Sequence, residues 1–348
     1  MLAYNPATRE SGCCIVTGRG AVAIGLALSA VGARGGKVLF PANICYAAVL
    51  PALYHGFTAA FCDVDPDSGN VTRSLVEAAL TEDTAAAVIP HMYGNPVADL
   101  PEIAELLRTR GIVLIEDCAS LMARDAAGYL PGTAGDYVVY STGYSKTIDN
   151  GIGGLLFSKR YDLSALEKTE RDLPPYQEEY EEIWSEFSRT YRVLRNEGQD
   201  TPKARQVYAR LPESFRESLA FSVDAETESR ILDSIGRLDA VITERRRQCG
   251  LYRSCLDLPA ERVYPFSPDA VPWRFNLYVG QERAAFIRSC LEKGLPVSDW
   301  YPAVTPIFRC DTPFPGARAH EKKIINFPLL IPDERIREIC AAVRAFYT

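Results

Sequence analysis

Between Lys37 and Phe157 the chain alternates short apolar runs with helix-patterned stretches, and that alternation leaves few folds open. Strands are expected at Lys37–Phe40, Thr58–Val64, Ala86–Pro90, Ile112–Asp117, Tyr137–Ser141 and Gly154–Phe157. Most are almost continuously apolar, the pattern of strands covered on both faces. Helices are expected at Gly20–Val31, Ile44–His55, Thr72–Leu80 and Asp99–Arg108. Strands separated by helices build βαβ units and a mainly parallel sheet, so the expected class is α/β.

The pattern changes near residue 163. Residues 163–218 are charged and aromatic, as in Tyr176-Gln-Glu-Glu-Tyr-Glu-Glu-Ile-Trp184, and read as inserted surface helices or a lid. A long helix is expected from about Glu226 to Leu256. The remainder reads as a smaller mixed unit, with strand candidates within Tyr264–Val279 and at Leu295–Ser298. A closing helix is expected over Pro332–Tyr347, with Pro at its start and acids in its first turn. The expected division is a large domain, 1–230, carrying the insertion, and a smaller α+β domain, 231–348.

Composition excludes several classes. With 38 basic and 45 acidic side chains the net charge is −7, which supplies no basic excess for nucleic acid. The cluster Arg245-Arg246-Arg247 reads as a solvated helix face. No apolar stretch reaches the roughly 20 residues of a membrane span. The N-terminus lacks a signal-peptide profile. A cytoplasmic protein with reduced cysteines is therefore expected. The 10 cysteines are scattered without a Cys-x-x-Cys, and the three histidines lie far apart, so no metal is expected. Cys118 reads as a small buried hydrophobe, and His91 as structural.

Two groups carry chemistry. Asp117 ends the run Gly111-Ile-Val-Leu-Ile-Glu-Asp117, and Lys146 follows Tyr140-Ser-Thr-Gly-Tyr-Ser just ahead of Asn150-Gly-Ile-Gly-Gly154. Pyridoxal phosphate (PLP) chemistry needs a lysine amine to form a Schiff base with the cofactor aldehyde. It also needs a carboxylate to keep the pyridine nitrogen protonated. Thr17-Gly18-Arg19-Gly20-Ala21 precedes an apolar helix, whose free N–H groups make an anion site. Ser141, at a strand end, offers a hydroxyl for a phosphate or for local capping.

Taken in order, these elements resemble fold-type-I PLP enzymes, specifically the DegT/DnrJ/StrS-type sugar aminotransferases. The resemblance is carried by Thr17–Ala21, Pro41-Ala-Asn-Ile-Cys45-Tyr46, His91-Met-Tyr-Gly-Asn-Pro96, Ile115-Glu-Asp117-Cys-Ala119, and Gly135-Asp136 through Ser141 to Lys146. It implies a seven-stranded-type sheet flanked by helices, and a homodimer. It makes Lys146 the Schiff-base lysine and proton carrier, and Asp117 the partner of the pyridine nitrogen. Ser141, Gly18, Arg19 and Gly20 would hold the phosphate, the last three through backbone N–H. A lysine at 146 argues against the family's dehydratases, which carry histidine there. To act as a base near neutral pH, Lys146 needs a depressed pKa.

The chain departs from the family at three places. Cys45 stands where an aromatic ring usually covers the pyridine, with Tyr46 next to it. Ser120 replaces a glutamine, yet can still donate a hydrogen bond to the cofactor. Ala220-Phe-Ser222 lacks the asparagine of the segment that reaches a partner subunit. Arg274 and Arg309 are candidates for a donor carboxylate, and Trp300 and Tyr301 read as interdomain core. The implied activity is transfer of an amino group from an amino acid, glutamate by resemblance, to a nucleotide-linked keto-sugar. The rivals are another PLP reaction (retro-aldol cleavage, elimination or condensation) and a degenerate PLP-binding regulator.

Overall fold

The computed structural model describes residues 1–32, 35–197 and 201–347; residues 198–200, within the expected insertion, lie outside them. In chain order the elements begin with β1 (Leu2–Tyr4), β2 (Ser11–Thr17), α1 (Gly20–Ser29), β3 (Lys37–Pro41), α2 (Tyr46–Tyr54), β4 (Thr58–Cys62), α3 (Arg73–Ala79) and β5 (Thr84–Pro90). Next come α4 (Leu100–Thr109), β6 (Val113–Asp117), β7 (Tyr137–Ser141), β8 (Gly154–Ser158), α5 (Ser164–Arg171), α6 (Glu179–Glu197) and α7 (Pro202–Phe215). The chain ends with α8 (Ala225–Gly236), α9 (Leu238–Leu256), β9 (Phe275–Tyr278), α10 (Arg283–Glu292), α11 (Pro315–Glu321), β10 (Ile324–Phe327) and α12 (Asp333–Tyr347).

Eight strands form the main sheet in the order β1-β2-β8-β7-β6-β5-β3-β4. The run β7-β6-β5-β3-β4 is parallel, while β8, β2 and β1 join antiparallel. The expected mainly parallel α/β sheet is present, with the three-residue β1 as an added edge. Every residue of β5, β7 and β8 is buried, because helices cover both faces. α1 is buried along almost its whole length. α4 instead buries Leu100, Ile103, Leu106 and Leu107 and turns its charges outward, an ordinary amphipathic stripe.

Several expectations are corrected by tertiary context. β2 was not legible, since Ser-Gly-Cys-Cys at its start carries little strand propensity. Its register against β8, Cys13 to Ser158 through Thr17 to Gly154, is what makes it a strand. The single long helix expected over 226–256 is two, α8 and α9, broken at Arg237 after Gly236. Leu295–Ser298 forms only one bridge, Ser298 to Asn326. The strand pairing in the C-terminal part is β9 with β10.

The insertion folds as α5, α6 and α7 and joins the sheet's own core. Phe187, Tyr191, Leu194, Tyr208, Leu211 and Phe215 pack in one cluster with residues of α1 and α2. Each large apolar side chain so buried contributes roughly 1.5–3 kcal/mol, which suits a fixed layer better than a loose flap. The first part of α8–α9 packs on the β2/β7/β8 side through Ile231, Ile235, Leu238 and Ile242. From Cys249 onward the chain builds a separate cluster with β9, β10, α10 and α12, centred on Tyr252 stacked on Phe275 at 4.6 Å. Among the described residues, no helix is long and apolar enough to cross a membrane.

Candidate active site

The parallel strands β3, β6 and β7 end at one edge of the sheet, where open α/β folds place their ligands. A cavity of about 550 Å³ opens there, lined among others by Gly20, Cys45, Asp117, Ser141, Lys146 and Trp300. Residues from five separate stretches of chain thus meet only after folding.

Asp117 closes β6 and is 6% exposed. Its Oδ1 accepts the Ala119 N–H at 2.9 Å. Burial pushes the carboxyl up; the Ala119 N–H, Lys146 and His91 pull the other way without cancelling it. A buried carboxylate in that state gains from a cationic partner such as a pyridinium.

Lys146 sits in the loop after β7. The residue before it, Ser145, has φ +59°, and its N–H is held by the Asp149 carboxylate at 2.7 Å. The Trp273 indole N–H donates to the Ser145 carbonyl. Arg245 donates to the Lys146 carbonyl at 2.7 Å and to the Trp273 carbonyl at 2.8 Å, with longer bonds to Thr147 and Pro272. Arg245 is only 3% exposed, so the expectation of a solvated face fails at this position. Its guanidinium is instead a buried clamp on the loop that carries Lys146. Arg246 bonds the Ala270 carbonyl, while Arg247 does lie on the surface, paired with Glu244 and Asp333.

Lys146 and Tyr301 both line the cavity, and the Tyr301 hydroxyl acts on the Lys146 amine. Burial lowers its pKa, but Tyr301, Cys45 and Asp117 outweigh burial and hold it above the ordinary lysine value. The expected depression is therefore not found. Tyr301 itself packs on Tyr93 and Trp273 while also lining the cavity, so core and site coincide there.

The α1 N-terminus and Ser141 face one another across a narrow gap. A Cβ on Gly20 would stand 3.1 Å from Ser141 Cβ, so glycine keeps that space open. A Cβ on Gly154 would meet the Arg19–Gly20 peptide at 2.6 Å, so β8 can approach α1 this closely only with glycine. The first N–H groups of α1 lack partners within the helix and, with the Ser141 hydroxyl, form an anion cradle.

Of the other expected site residues, Arg19, Cys45, Tyr46 and Arg274 also line the cavity, whereas Gly18, Ser120 and Arg309 do not. Arg19 lines the cavity, but its guanidinium turns to Glu181 at 2.6 Å and lies over the Trp184 ring at 4.8 Å. Gly18 packs beneath Phe221, outside the cavity lining. Ser120 also lies outside the lining, and its carbonyl accepts from Thr147 at 3.4 Å. Cys45 caps α2, its thiol pushed up by burial, and packs near Trp300 and Tyr301. Tyr46 lines the cavity yet sits in an aromatic cluster, stacked with Trp184 at 5.8 Å. Arg274 lines the cavity, bonded to the hydroxyls of Ser298 and Ser145; Arg309 is exposed and not part of the lining.

Sequence reasoning missed the contribution of α6. Glu181, Trp184, Ser185 and Ser188 all line the cavity. Their spacing, i, i+3, i+4 and i+7, was a readable signal of one helix face. Buried His91, Glu116 and Cys118 form the described cluster most like a metal site. Its atoms are already engaged: Glu116 accepts from His91 at 3.0 Å and from the N–H groups of Gly132, Ala134 and Gly135, and His91 Nδ1 accepts from Val97. It is a structural knot, as expected for His91.

The carboxylate at a strand end, the amine, and the hydroxyl beside a helix N-terminus fit PLP in chemistry and order. Arg19 Nε and Trp184 Nε1 are buried without a hydrogen-bond partner. The family model for DegT/DnrJ/EryC1/StrS aminotransferases matches residues 8–344.

The chain belongs to the DegT/DnrJ/EryC1/StrS aminotransferase family.

Within the family, the chain is 36% identical over 138 residues to GDP-perosamine synthase of Escherichia coli O157:H7, covering 39% of this chain and 38% of that one. It is 35% identical over 142 residues to L-glutamine:2-deoxy-scyllo-inosose aminotransferase of Streptomyces kanamyceticus, covering 40% and 33%. These matches span 38% and 33% of the relatives' own length. The crystal structure of the aminotransferase TlmJ from Streptoalloteichus hindustanus superposes with a TM-score of 0.74 at 22% identity, over 95% of this chain and 85% of that one. That likeness bears on the fold.

Proposed function

We propose that this chain is a PLP-dependent aminotransferase that takes an amino group from an amino acid, glutamate by family resemblance, and delivers it to a keto group on a sugar or sugar-like ring. The observation that carries the reading is the meeting of Asp117, Lys146 and Ser141 on one cavity at the strand ends. PLP, when bound, supplies an electron sink for negative charge at the carbon that loses a proton.

The protein's own groups do the rest. Asp117 would hold positive charge on the pyridine nitrogen. Gly20, Ala21 and Ser141 would hold the phosphate by N–H and O–H donation. Lys146 would hold the cofactor aldehyde and move the proton taken from the donor Cα, with the Tyr301 hydroxyl acting on its amine. Arg274 offers a guanidinium to the donor carboxylate. A nucleotide-linked acceptor is supported by the relative named for GDP-perosamine, and a cyclitol by the relative named for an inosose.

A homodimer is part of this proposal, because sites of this fold type lie at a subunit interface; light scattering on the purified protein measures it. For the activity, borohydride treatment of the purified protein should fix the cofactor onto the peptide containing Lys146. Glutamate should then convert the unreduced cofactor to its amine form. Purified protein without a PLP absorption band overturns the proposal.

A further inference from the structure

We infer that the ion pair between Arg195 of helix α6 and Asp299 positions Tyr301 against Lys146, so that the inserted helix takes part in setting the reactive amine. The inference rests on the aminotransferase reading for what that amine does, and it gives the insertion a task in the same site.

Asp117, Cys45 and Tyr301 act on the Lys146 amine. Asp117 closes β6 and Cys45 caps α2, so regular elements place both. Tyr301 differs, because residues 299–304 form neither helix nor strand. No ladder of backbone bonds holds this stretch, and its groups must find other partners. They find them residue by residue. The Trp300 N–H donates to Asn326 Oδ1 at 2.9 Å. The Tyr301 N–H donates to the Tyr93 hydroxyl at 3.1 Å, which in turn meets His320 Nε2 at 3.1 Å. The Ala303 N–H donates to Glu321 at 3.3 Å.

Asp299, at the head of the stretch, is held by charge. Arg195 donates to its two oxygens at 3.2 and 2.8 Å, and Arg283 of α10 lies 3.3 Å from the same carboxylate. Burial raises the Asp299 carboxyl, but Arg195 and Arg283 outweigh it and hold it below the ordinary value. The Arg195 side chain is 11% exposed. A two-point fork fixes direction as well as distance, which a single point charge does not. Tyr191, one turn earlier on α6, faces the Trp300 ring at 6.4 Å. The insertion therefore meets this stretch at two successive residues.

The path from there to the amine is short. The Tyr301 ring packs on Trp273 at 5.4 Å, and the Trp273 indole N–H donates to the carbonyl of Ser145, the residue before Lys146. Tyrosine and lysine loop thus share one support. Asp299 and Arg195 do not line the cavity, so the pair acts on the amine through Tyr301.

The test reads the amine itself, in the full chain stripped of PLP with hydroxylamine. Acetylation of Lys146 by acetic anhydride is followed against pH by mass spectrometry of its peptide. The midpoint of that profile reports proton affinity, and its plateau reports access. The wild-type midpoint should lie above 10.5, the ordinary lysine value. Tyr301→Phe should lower it by about one unit, a tenfold change in proton affinity. Arg195→Met should lower it in the same direction. Mere loss of a nearby positive charge would raise it. In the Tyr301→Phe background Arg195→Met should add nothing. Arg195→Lys, which keeps the charge and loses the fork, should fall between wild type and Arg195→Met, and it decides the matter if Arg195→Met fails to fold by circular dichroism. An unchanged or raised midpoint in the Arg195 variants overturns the inference. So does an unchanged midpoint in Tyr301→Phe, or an additive shift in the double variant. Borohydride fixation of PLP is scored separately on the wild-type protein. If it fails while the midpoints follow the expected pattern, the aminotransferase reading falls and the positioning role stands.

Discussion

The Arg245 guanidinium donates to the Lys146 carbonyl at 2.7 Å, tying the middle of α9 to the loop that carries the amine. Burial lowers the Arg245 pKa to about 10, so it stays charged at neutral pH with carbonyl oxygens as its acceptors. A charge this deep persists only where its donors are satisfied. Arg245→Ala removes donors from buried carbonyls and is expected to destabilise the protein by about 3 kcal/mol, within the range for charged buried hydrogen bonds summed over several acceptors. Arg245→Lys keeps the charge but loses the fork. It should bind PLP more weakly at nearly wild-type secondary structure. Urea titration and PLP fluorescence read the two effects.

Lys146→Ala should lose roughly 10²–10⁴-fold in turnover, the usual worth of a positioned proton carrier. Asp117→Asn keeps the shape and hydrogen-bonding reach of the side chain but not its charge. It should retain PLP in the site while slowing the donor half-reaction by a comparable factor. Stopped-flow absorbance of the cofactor distinguishes slow chemistry from lost binding.

Gly20→Val places atoms where a Cβ alone already stands 3.1 Å from Ser141 Cβ. The substitution should cost at least tenfold in PLP affinity through narrowing of the phosphate cradle. A thermal midpoint within a few degrees of the wild-type apoprotein would locate the effect in the cradle. Unchanged PLP affinity would show that the phosphate lies elsewhere.

Glu170 gives a pH dependence of known sign. Burial raises its carboxyl pKa to about 7, with the neighbouring Glu228 adding to the rise, and its buried Oε1 has no partner. The folded protein therefore holds a proton that the unfolded chain releases near pH 4.5, the ordinary value. Stability from this group falls as pH rises from about 4.5 to about 7, and is lowest above 7. Glu170→Gln should stabilise the protein at pH 8 by about 1–2 kcal/mol, a full shift at about 1.4 kcal/mol per unit reduced for solvent screening. Little gain is expected at pH 5. Chemical denaturation at the two pH values checks it.

Much of the sheet was legible because its strands are buried on both faces and must be written in apolar residues. β7 falls at Tyr137–Ser141, as the apolar run required, and β6 differs from its expected bounds by one residue. β2 was not legible because its pairing with β8, rather than its own propensities, makes it a strand. The Arg237 break between α8 and α9 was hidden because the flanking patterns are both helical and both flanks pack on the same side of the sheet, through Ile231 and Ile235 before it and Leu238 and Ile242 after it.

The sequence by itself determined the α/β class, the order of the motifs, and the Asp117, Ser141 and Lys146 set, because each depends on local pattern at a strand end. Only the tertiary structure decided which side chains surround them. It buried Arg245 beneath Lys146, brought Tyr301 to the same cavity as the amine, turned Arg19 toward Glu181, and brought the Ser185–Ser188 face of α6 to the cavity. These contacts join residues far apart in the chain. Their positions follow from how the layers pack, which no local spacing records.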